Sequence, residues 1–70
     1  MKILIVEDEL PVARQIAAAL TEDGHDSKAV HSGEAALEEL SKGPFDLIVV
    51  DVGLPGINGF ELLRRLREQH

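Results

Sequence analysis

Short apolar runs that lack the alternation of a half-exposed strand are the first feature of the chain. Segments Lys2–Val6 and Leu47–Val50 are aliphatic apart from the first lysine and are too short for helices. Such runs are typical of strands that are covered on both faces in a parallel sheet. A further strand is predicted at His25–Val30, where three polar residues in a row suit an edge position.

Between these strands, apolar positions recur with helical spacing. Helix one is predicted at Pro11–Glu22, since proline is well placed in a first turn, and it should stop at Gly24. Helix two should open at Ser32 and end at residues 42–44, Lys-Gly-Pro. A third helix should follow, with Asn58 as its cap. The apolar faces comprise Val12, Ala13, Ile16, Ala17, Ala19 and Leu20 in the first helix, Ala36, Leu37 and Leu40 in the second, and Phe60, Leu63 and Leu66 in the third.

The predicted elements alternate as strand, helix, strand, helix, strand, helix, with short turns between them. This alternation predicts right-handed crossovers and an α/β fold around a three-stranded parallel sheet. If the second strand lies on one side of the first and the third strand on the other, the spatial order is 2-1-3. Ligands of open parallel sheets bind outside the carboxyl ends of the strands, at the point where the order reverses. Glu7 and Asp8 follow the first strand and Asp51 follows the third, so we expect these three carboxylates to lie close together.

Composition and charge restrict the class of protein. The 70-residue chain is 44% hydrophobic, carries a net charge of −6 and contains no cysteine, which fits one small globular domain in a reducing compartment. No apolar stretch approaches the length of a membrane span, and the acids after Val6 are unlike a secretory leader. Arg64, Arg65 and Arg67 are interpreted as an exposed helix face. We therefore expect a cytoplasmic protein without a direct nucleic-acid or membrane partner.

The three carboxylates at the strand ends would repel one another without a cation. Hard oxygen ligands favour Mg²⁺ or Mn²⁺, whereas zinc would require thiolates or a spaced histidine pair, and the three histidines are scattered. Two simpler interpretations stay open: the acids at 7–9 cap helix one, and Asp51 is a turn residue. The occurrence of both features at neighbouring strand ends favours a metal site.

Three stretches of the chain carry a family resemblance: "ILIVEDE", "GHDSKAVHSGEAALEEL" and "DLIVVDVGLPGINGFELLRRLR". Together they resemble the amino-terminal part of a response-regulator receiver domain of two-component signalling, over essentially the whole chain. The sequence around Pro55 is most similar to that of receivers attached to winged-helix transcription factors. The resemblance implies a flavodoxin-like fold.

The resemblance also implies the role of each site residue. Asp51 would be the phosphoacceptor, and its phosphodonor would be a sensor histidine kinase, a phosphotransfer protein or a small phosphodonor. Positioning and electrostatics would account for most of the rate, and the chain would not itself be an enzyme. The ligands of Mg²⁺ or Mn²⁺ would be Glu7, Asp8, Asp51 and the backbone carbonyl of Gly53.

The family pattern continues beyond residue 70 with two further strands and two further helices, which supply a Thr or Ser and a Lys. We therefore expect residues 1–70 to form a partial, truncated receiver domain whose phosphorylation is impaired. Strand three would lie at a sheet edge with Ile48, Val49 and Val50 uncovered. A homodimer around this strand is expected to cover it.

The sequence also bears on two alternatives to a phosphoacceptor function. The chain could be a structural, self-associating half-fold that keeps the metal ligands without phosphotransfer. A phosphatase of the haloacid dehalogenase type is disfavoured, because such enzymes carry a second aspartate two residues after the nucleophile. Gly53 occupies that position here.

Overall fold

Strands and helices alternate along the chain in this computed structural model, which describes residues 1–50, 61, 62, 64, 65 and 68. The five later residues are helical, in agreement with the predicted third helix, whereas Asn58, Phe60, Leu63 and Leu66 lie outside the described residues. The elements are β1 (Lys2–Val6), α1 (Leu10–Glu22), β2 (Asp26–Val30), α2 (Gly33–Lys42) and β3 (Leu47–Val50).

The three strands form one parallel sheet in the order β2-β1-β3, which confirms the predicted order 2-1-3. The carboxyl-terminal residue of β1, Val6, is the register partner of Val30 in β2 and of Val50 in β3. All three strands therefore end at the same edge of the sheet. The segment that follows β1 at this edge carries Glu7 and Asp8.

Gly24 ends α1, as predicted. Its φ of 83° lies in the left-handed region, which favours glycine. The Gly24 N–H donates to the Thr21 carbonyl at 3.0 Å. The His25 N–H donates to the Leu20 carbonyl at 3.0 Å, which completes a Schellman motif. Because the His25 amide closes the helix, β2 begins at Asp26, one residue later than predicted.

The other helix ends follow local chemistry. The first helix begins at Leu10, one residue before the predicted start, which places Pro11 in the first turn. Ser32 is the N-cap of α2, and its hydroxyl accepts a hydrogen bond from the Ala35 N–H at 3.0 Å. Gly43 is the C-cap of α2, so both predicted ends of this helix are confirmed.

Apolar side chains pack on both faces of the sheet, because successive side chains of a strand point to opposite sides. Ile3 and Ile5 of β1 are buried, and α1, which packs against β1 and β2, contributes the buried Ala13. The other face holds the main core cluster. Its buried members are Leu4, Val6, Val30, Ala36 and Leu62, with Ala35, Leu37, Leu40, Phe45, Ile48 and Val50 packed against them.

Among the described residues, side chains pack over one face of β3, which corrects the expectation that Ile48, Val49 and Val50 are all uncovered. Ile48 and Val50 are half-buried against the core cluster. Leu47 and Val49 point to the opposite face and are 46% and 36% exposed. The reason is the pleat: α2 and Leu62 cover the face that Ile48 and Val50 share, whereas α1 lies over the other two strands.

Candidate phosphoacceptor and metal site

The loop from β1 to α1, residues 7–9, carries Glu7 and Asp8, which are predicted to bind a metal, and it is called the acidic loop below. Glu7 is half-buried, and Asp8 and Glu9 are exposed. The Glu7 N–H donates to the Val30 carbonyl at 3.0 Å, which extends the pairing of β1 with β2 by one residue. This backbone contact holds the start of the acidic loop at the carboxyl end of the sheet.

The Glu7 carboxylate folds back over its own loop. Its Oε2 accepts a hydrogen bond from the Glu9 N–H at 3.2 Å. Glu9 is the N-cap of α1, but its own side chain makes no capping hydrogen bond, and the first turn contains no acid. If these acids only capped the helix, that role would explain the hydrogen bond from the Glu9 N–H to the Glu7 carboxylate. It would not explain the exposed Asp8.

The loop from β2 to α2 contacts the acidic loop directly. The Nδ1 atom of His31 lies 3.0 Å from the Glu7 carbonyl oxygen. A carbonyl oxygen can only accept, so Nδ1 donates this hydrogen bond. His31 itself is exposed and lies between the buried end of β2 and Ser32, the cap of α2.

Asp51 and Gly53, the other residues of the predicted site, lie outside the described residues, as does Pro55. The structure describes β3 up to Val50, the residue that precedes Asp51 in the sequence. Within residues 1–50 and the five later described positions, no group of three or more His, Cys, Asp or Glu side chains is arranged to hold a metal ion. The described part thus supplies two of the predicted ligands, Glu7 and Asp8.

The side chains of those two residues are suitable ligands for Mg²⁺ or Mn²⁺. Both offer carboxylate oxygens, the donors that these hard cations take, and Asp8 is exposed to solvent and so to a hydrated ion. His31 Nδ1 contacts the Glu7 backbone carbonyl and His25 lies near the Met1 nitrogen, so the two described histidines do not form the spaced pair that a zinc site would require.

An ion pair connects the elements on either side of His31. Lys28 Nζ in β2 lies 2.8 Å from Glu39 Oε1 in α2, and Lys42 Nζ lies 3.6 Å from Glu39 Oε2. The hydrogen bond from Lys28 is the main reason why the pKa of the Glu39 carboxyl lies below its usual value. The pair is an exposed contact that joins the edge strand to α2 at the surface.

The predicted basic face is also a set of exposed ion pairs. Arg64 and Arg65 are exposed, as expected, and both pair with Glu61, the former at 2.7 Å and the latter at 3.2 Å. The hydrogen bond from Arg64, followed by that from Arg65, lowers the pKa of the Glu61 carboxyl. Arg67 lies outside the described residues.

A groove of about 390 Å³ lies between α1 and the edge strand β2. Sequence reasoning missed it, because it is formed by side chains that are distant in the sequence. The small residues on α1 were the signal that could have indicated it, since they leave room beside a helix. Its lining residues are Leu10, Ala13, Arg14, Ala17, Ala29 and His31.

The strand order and the acids at the strand ends define an α/β domain of the receiver type. The chain belongs to the response regulator receiver domain family, whose model matches residues 3–70. It is 46% identical over 69 residues to the transcriptional regulatory protein TcrA of Mycobacterium tuberculosis, covering 99% of this chain and 27% of that protein. It is 45% identical over 69 residues to the two-component response regulator PhoP of Pseudomonas aeruginosa, covering 99% of this chain and 31% of that protein.

Solved receiver structures share the fold. The BeF3-activated N-terminal receiver domain of Klebsiella pneumoniae RstA matches with a TM-score of 0.94 and 37% identity, over 100% of this chain and 60% of that one. TrrA of Thermotoga maritima, solved in complex with Mg(2+)-BeF, matches with a TM-score of 0.93 and 32% identity, over 97% of this chain and 59% of that one. TrrA has also been solved in complex with the histidine kinase ThkA, and that structure matches over 99% of this chain and 60% of that one. These matches confirm the flavodoxin-like receiver fold.

The chain is short beside its relatives. It spans 27–31% of the length of the curated relatives that it matches. It spans 52–60% of the matched chains of known structure. Among the described residues, no helix has the length and apolar character that a membrane span requires.

Proposed function

We propose that this chain is a phosphoacceptor module of a two-component phosphorelay and that it accepts a phosphoryl group at Asp51 in the presence of Mg²⁺ or Mn²⁺. The observation that carries the proposal is the register of Val6 with Val50, because each of these residues is followed in the sequence by an acid, Glu7 and Asp51. Family membership over residues 3–70 supports the same role.

In the proposed reaction, an Asp51 carboxylate oxygen attacks the phosphorus of the donor. The new oxygen–phosphorus bond makes Asp51 an acyl phosphate. The bond from phosphorus to the imidazole nitrogen of a phosphohistidine donor breaks. Glu7, Asp8, Asp51 and the Gly53 carbonyl would hold the cation, which supplies charge neutralisation at the donor oxygens. The chain acts here as the acceptor of a kinase's phosphoryl group and not as an enzyme.

The proposed phosphodonor is a sensor histidine kinase or a phosphotransfer protein, in a cytoplasmic setting. The complex of ThkA with TrrA supports this class of partner, because TrrA shares the fold of this chain. The cysteine-free composition agrees with a reducing compartment. A net charge of −6 supports the absence of a direct nucleic-acid partner.

Incubation with acetyl phosphate, with intact-mass detection, tests the proposal. We expect a single phosphoryl adduct on the parent chain that requires Mg²⁺ and is lost in Asp51→Asn. Asp26→Asn is the matched control, because Asp26 is exposed and lies at the opposite end of the sheet. No adduct on the parent chain, or an adduct that persists in Asp51→Asn, contradicts the proposal.

A second candidate function, self-association, is favoured by the open face of β3. Leu47 and Val49 are exposed although their register partners Ile3 and Ile5 are buried on the same sheet face. A two-fold homodimer that covers this face would remove apolar area from water at both copies. Such a module would need no phosphotransfer.

Sedimentation equilibrium of the 70-residue chain tests self-association. A dimer that dissociates in Val49→Lys but persists in Glu38→Lys would support it, because Glu38 is exposed on α2 and receives the same new side chain. A folded monomer at micromolar concentration rules it out.

A further inference from the structure

We propose that His31 is a positioning residue for the acidic loop, and that its hydrogen bond to the Glu7 carbonyl holds Glu7 and Asp8 ready for the cation. The metal-binding part of this inference rests on the proposed function. His31 stands in the loop after β2, and no functional role was predicted for it from the sequence. The structure brings it to the acidic loop across 24 residues of sequence.

The hydrogen bond from His31 is the second one that restrains the backbone of Glu7. Its N–H donates to the Val30 carbonyl and its C=O accepts from His31 Nδ1, both at 3.0 Å. The first bond orients the peptide unit before Glu7, and the second orients the unit that leads into Asp8. Since each peptide unit is planar, fixing the carbonyl direction also restricts the direction in which Asp8 follows.

His31 can serve as a support because its own backbone is held at both ends. Val30, the residue before it, is 8% exposed at the end of β2. Ser32, the residue after it, caps α2 through the Ala35 N–H. The imidazole therefore reaches the Glu7 carbonyl without the entropy cost of ordering a free loop.

Ordering of the acidic loop before the cation binds should favour metal binding. Glu7 and Asp8 are adjacent carboxylates, and both would turn toward one cation against their mutual repulsion. Fixing the loop beforehand lowers the ordering cost that metal binding has to overcome. Loss of one exposed hydrogen bond of this kind should weaken the affinity by about fivefold.

Two substitutions at position 31 distinguish the effect of the hydrogen-bond donor from the effect of the volume of the imidazole ring. His31→Asn places an amide nitrogen where Nδ1 lies, since both atoms are bonded to Cγ, and so keeps the donor. His31→Leu places a methyl group there and removes the donor. The groove beside His31 leaves room for either side chain.

The first measurement uses metal-free protein and follows amide hydrogen exchange by NMR. The Glu9 N–H, which donates to Glu7 Oε2, reports on the order of the loop. We expect His31→Leu to speed its exchange about fivefold and His31→Asn to stay within about twofold of the parent. The Gly24 N–H, at the opposite end of α1, is the internal control and should not change.

The second measurement is a Mn²⁺ titration of the same proteins, followed by electron paramagnetic resonance. We expect about fivefold weaker binding in His31→Leu, and binding within about twofold of the parent in His31→Asn. Asp8→Asn is the control for the proposed site itself, and it should weaken binding more than either substitution at position 31.

The outcomes distinguish the two proposals. Parent-like exchange and affinity in His31→Leu overturn the positioning role while the metal site stands. Equal losses in His31→Leu and His31→Asn also overturn it, because the ring and not the donor would then matter. A parent chain that binds no Mn²⁺ overturns the proposed function and the metal-binding part of this inference, and the exchange measurement then decides whether His31 orders the loop.

Discussion

Val6 and Val50 are register partners, so β1 and β3 end side by side at one edge of the sheet. The next residues in the sequence are Glu7 and Asp51. The proposed cation site is based on these two acids, which follow paired strand ends in the sequence, together with Asp8, the residue after Glu7. Their mutual repulsion leads to a prediction about stability as well as one about binding.

Asp51→Asn should weaken Mg²⁺ binding by at least about tenfold, equivalent to about 1.4 kcal/mol, because one charged ligand is lost. The metal-free free energy of unfolding should stay the same or rise, since the substitution relieves carboxylate repulsion. Calorimetric titration and urea denaturation at pH 7 measure the two quantities, with Asp26→Asn as control. Lower metal-free stability of Asp51→Asn would count against clustered acids.

Gly24→Ala should lower the free energy of unfolding by about 1–2 kcal/mol, the cost of a left-handed backbone for an L side chain. The matched control is Gly43→Ala, because Gly43 has an extended backbone with φ of 168°. An added Cβ meets no atom within 4 Å at either position, so the comparison isolates the backbone conformation. Equal effects of the two substitutions in urea denaturation would refute the explanation.

Leu62→Ala should lower the free energy of unfolding by about 2–5 kcal/mol, the usual cost of emptying a buried leucine site. The Leu62 side chain is 0% exposed and belongs to the core cluster with Leu4 and Val6. Leu10, which is 49% exposed, is the matched control, and Leu10→Ala should change stability by less than about 1 kcal/mol. Thermal denaturation followed by circular dichroism compares them, and similar melting temperatures would contradict the packing.

Glu39→Gln should reduce stability at neutral pH and lose its effect in acid. The folded-state pKa of Glu39 lies below its ordinary value of 4.5, chiefly through the Lys28 hydrogen bond. Its contribution is therefore fully present above that ordinary value, and it is lost as the pH falls through the folded-state pKa. Urea denaturation across this range checks the prediction, with Glu38→Gln on the same helix as control. A difference between parent and Glu39→Gln that persists at the lowest pH would contradict it.

The elements were predictable because their signals are local. The apolar runs of β1 and β3, the serine cap of α2 and the glycine after α1 each act within a few residues of chain. The order 2-1-3 was expected only if the second and third strands lie on opposite sides of the first, a condition that the structure meets. The placement of Glu7 and Asp8 at the carboxyl edge follows from their position directly after a parallel strand. The binding roles of Glu7, Asp8, Asp51 and Gly53 remain predictions.

The small errors at element ends have an equally local cause. The edge strand was predicted from His25, yet the Schellman motif uses the His25 amide, and the strand starts one residue later. Helical periodicity in the third helix pointed to Phe60, Leu63 and Leu66. Those three residues lie outside the described residues, so this prediction stands as a prediction, and Leu62, which the periodicity did not single out, is fully buried in the core cluster.

The sequence by itself determined the family, the alternation of strands and helices, and which acids follow which strands, because these depend on pattern and connectivity. Only the tertiary structure decided that His31 meets the Glu7 carbonyl, that Leu62 enters the core and that Leu47 and Val49 stay exposed. These are contacts between segments far apart in the chain. They depend on strand register and on which helix covers which face, quantities that no local pattern contains.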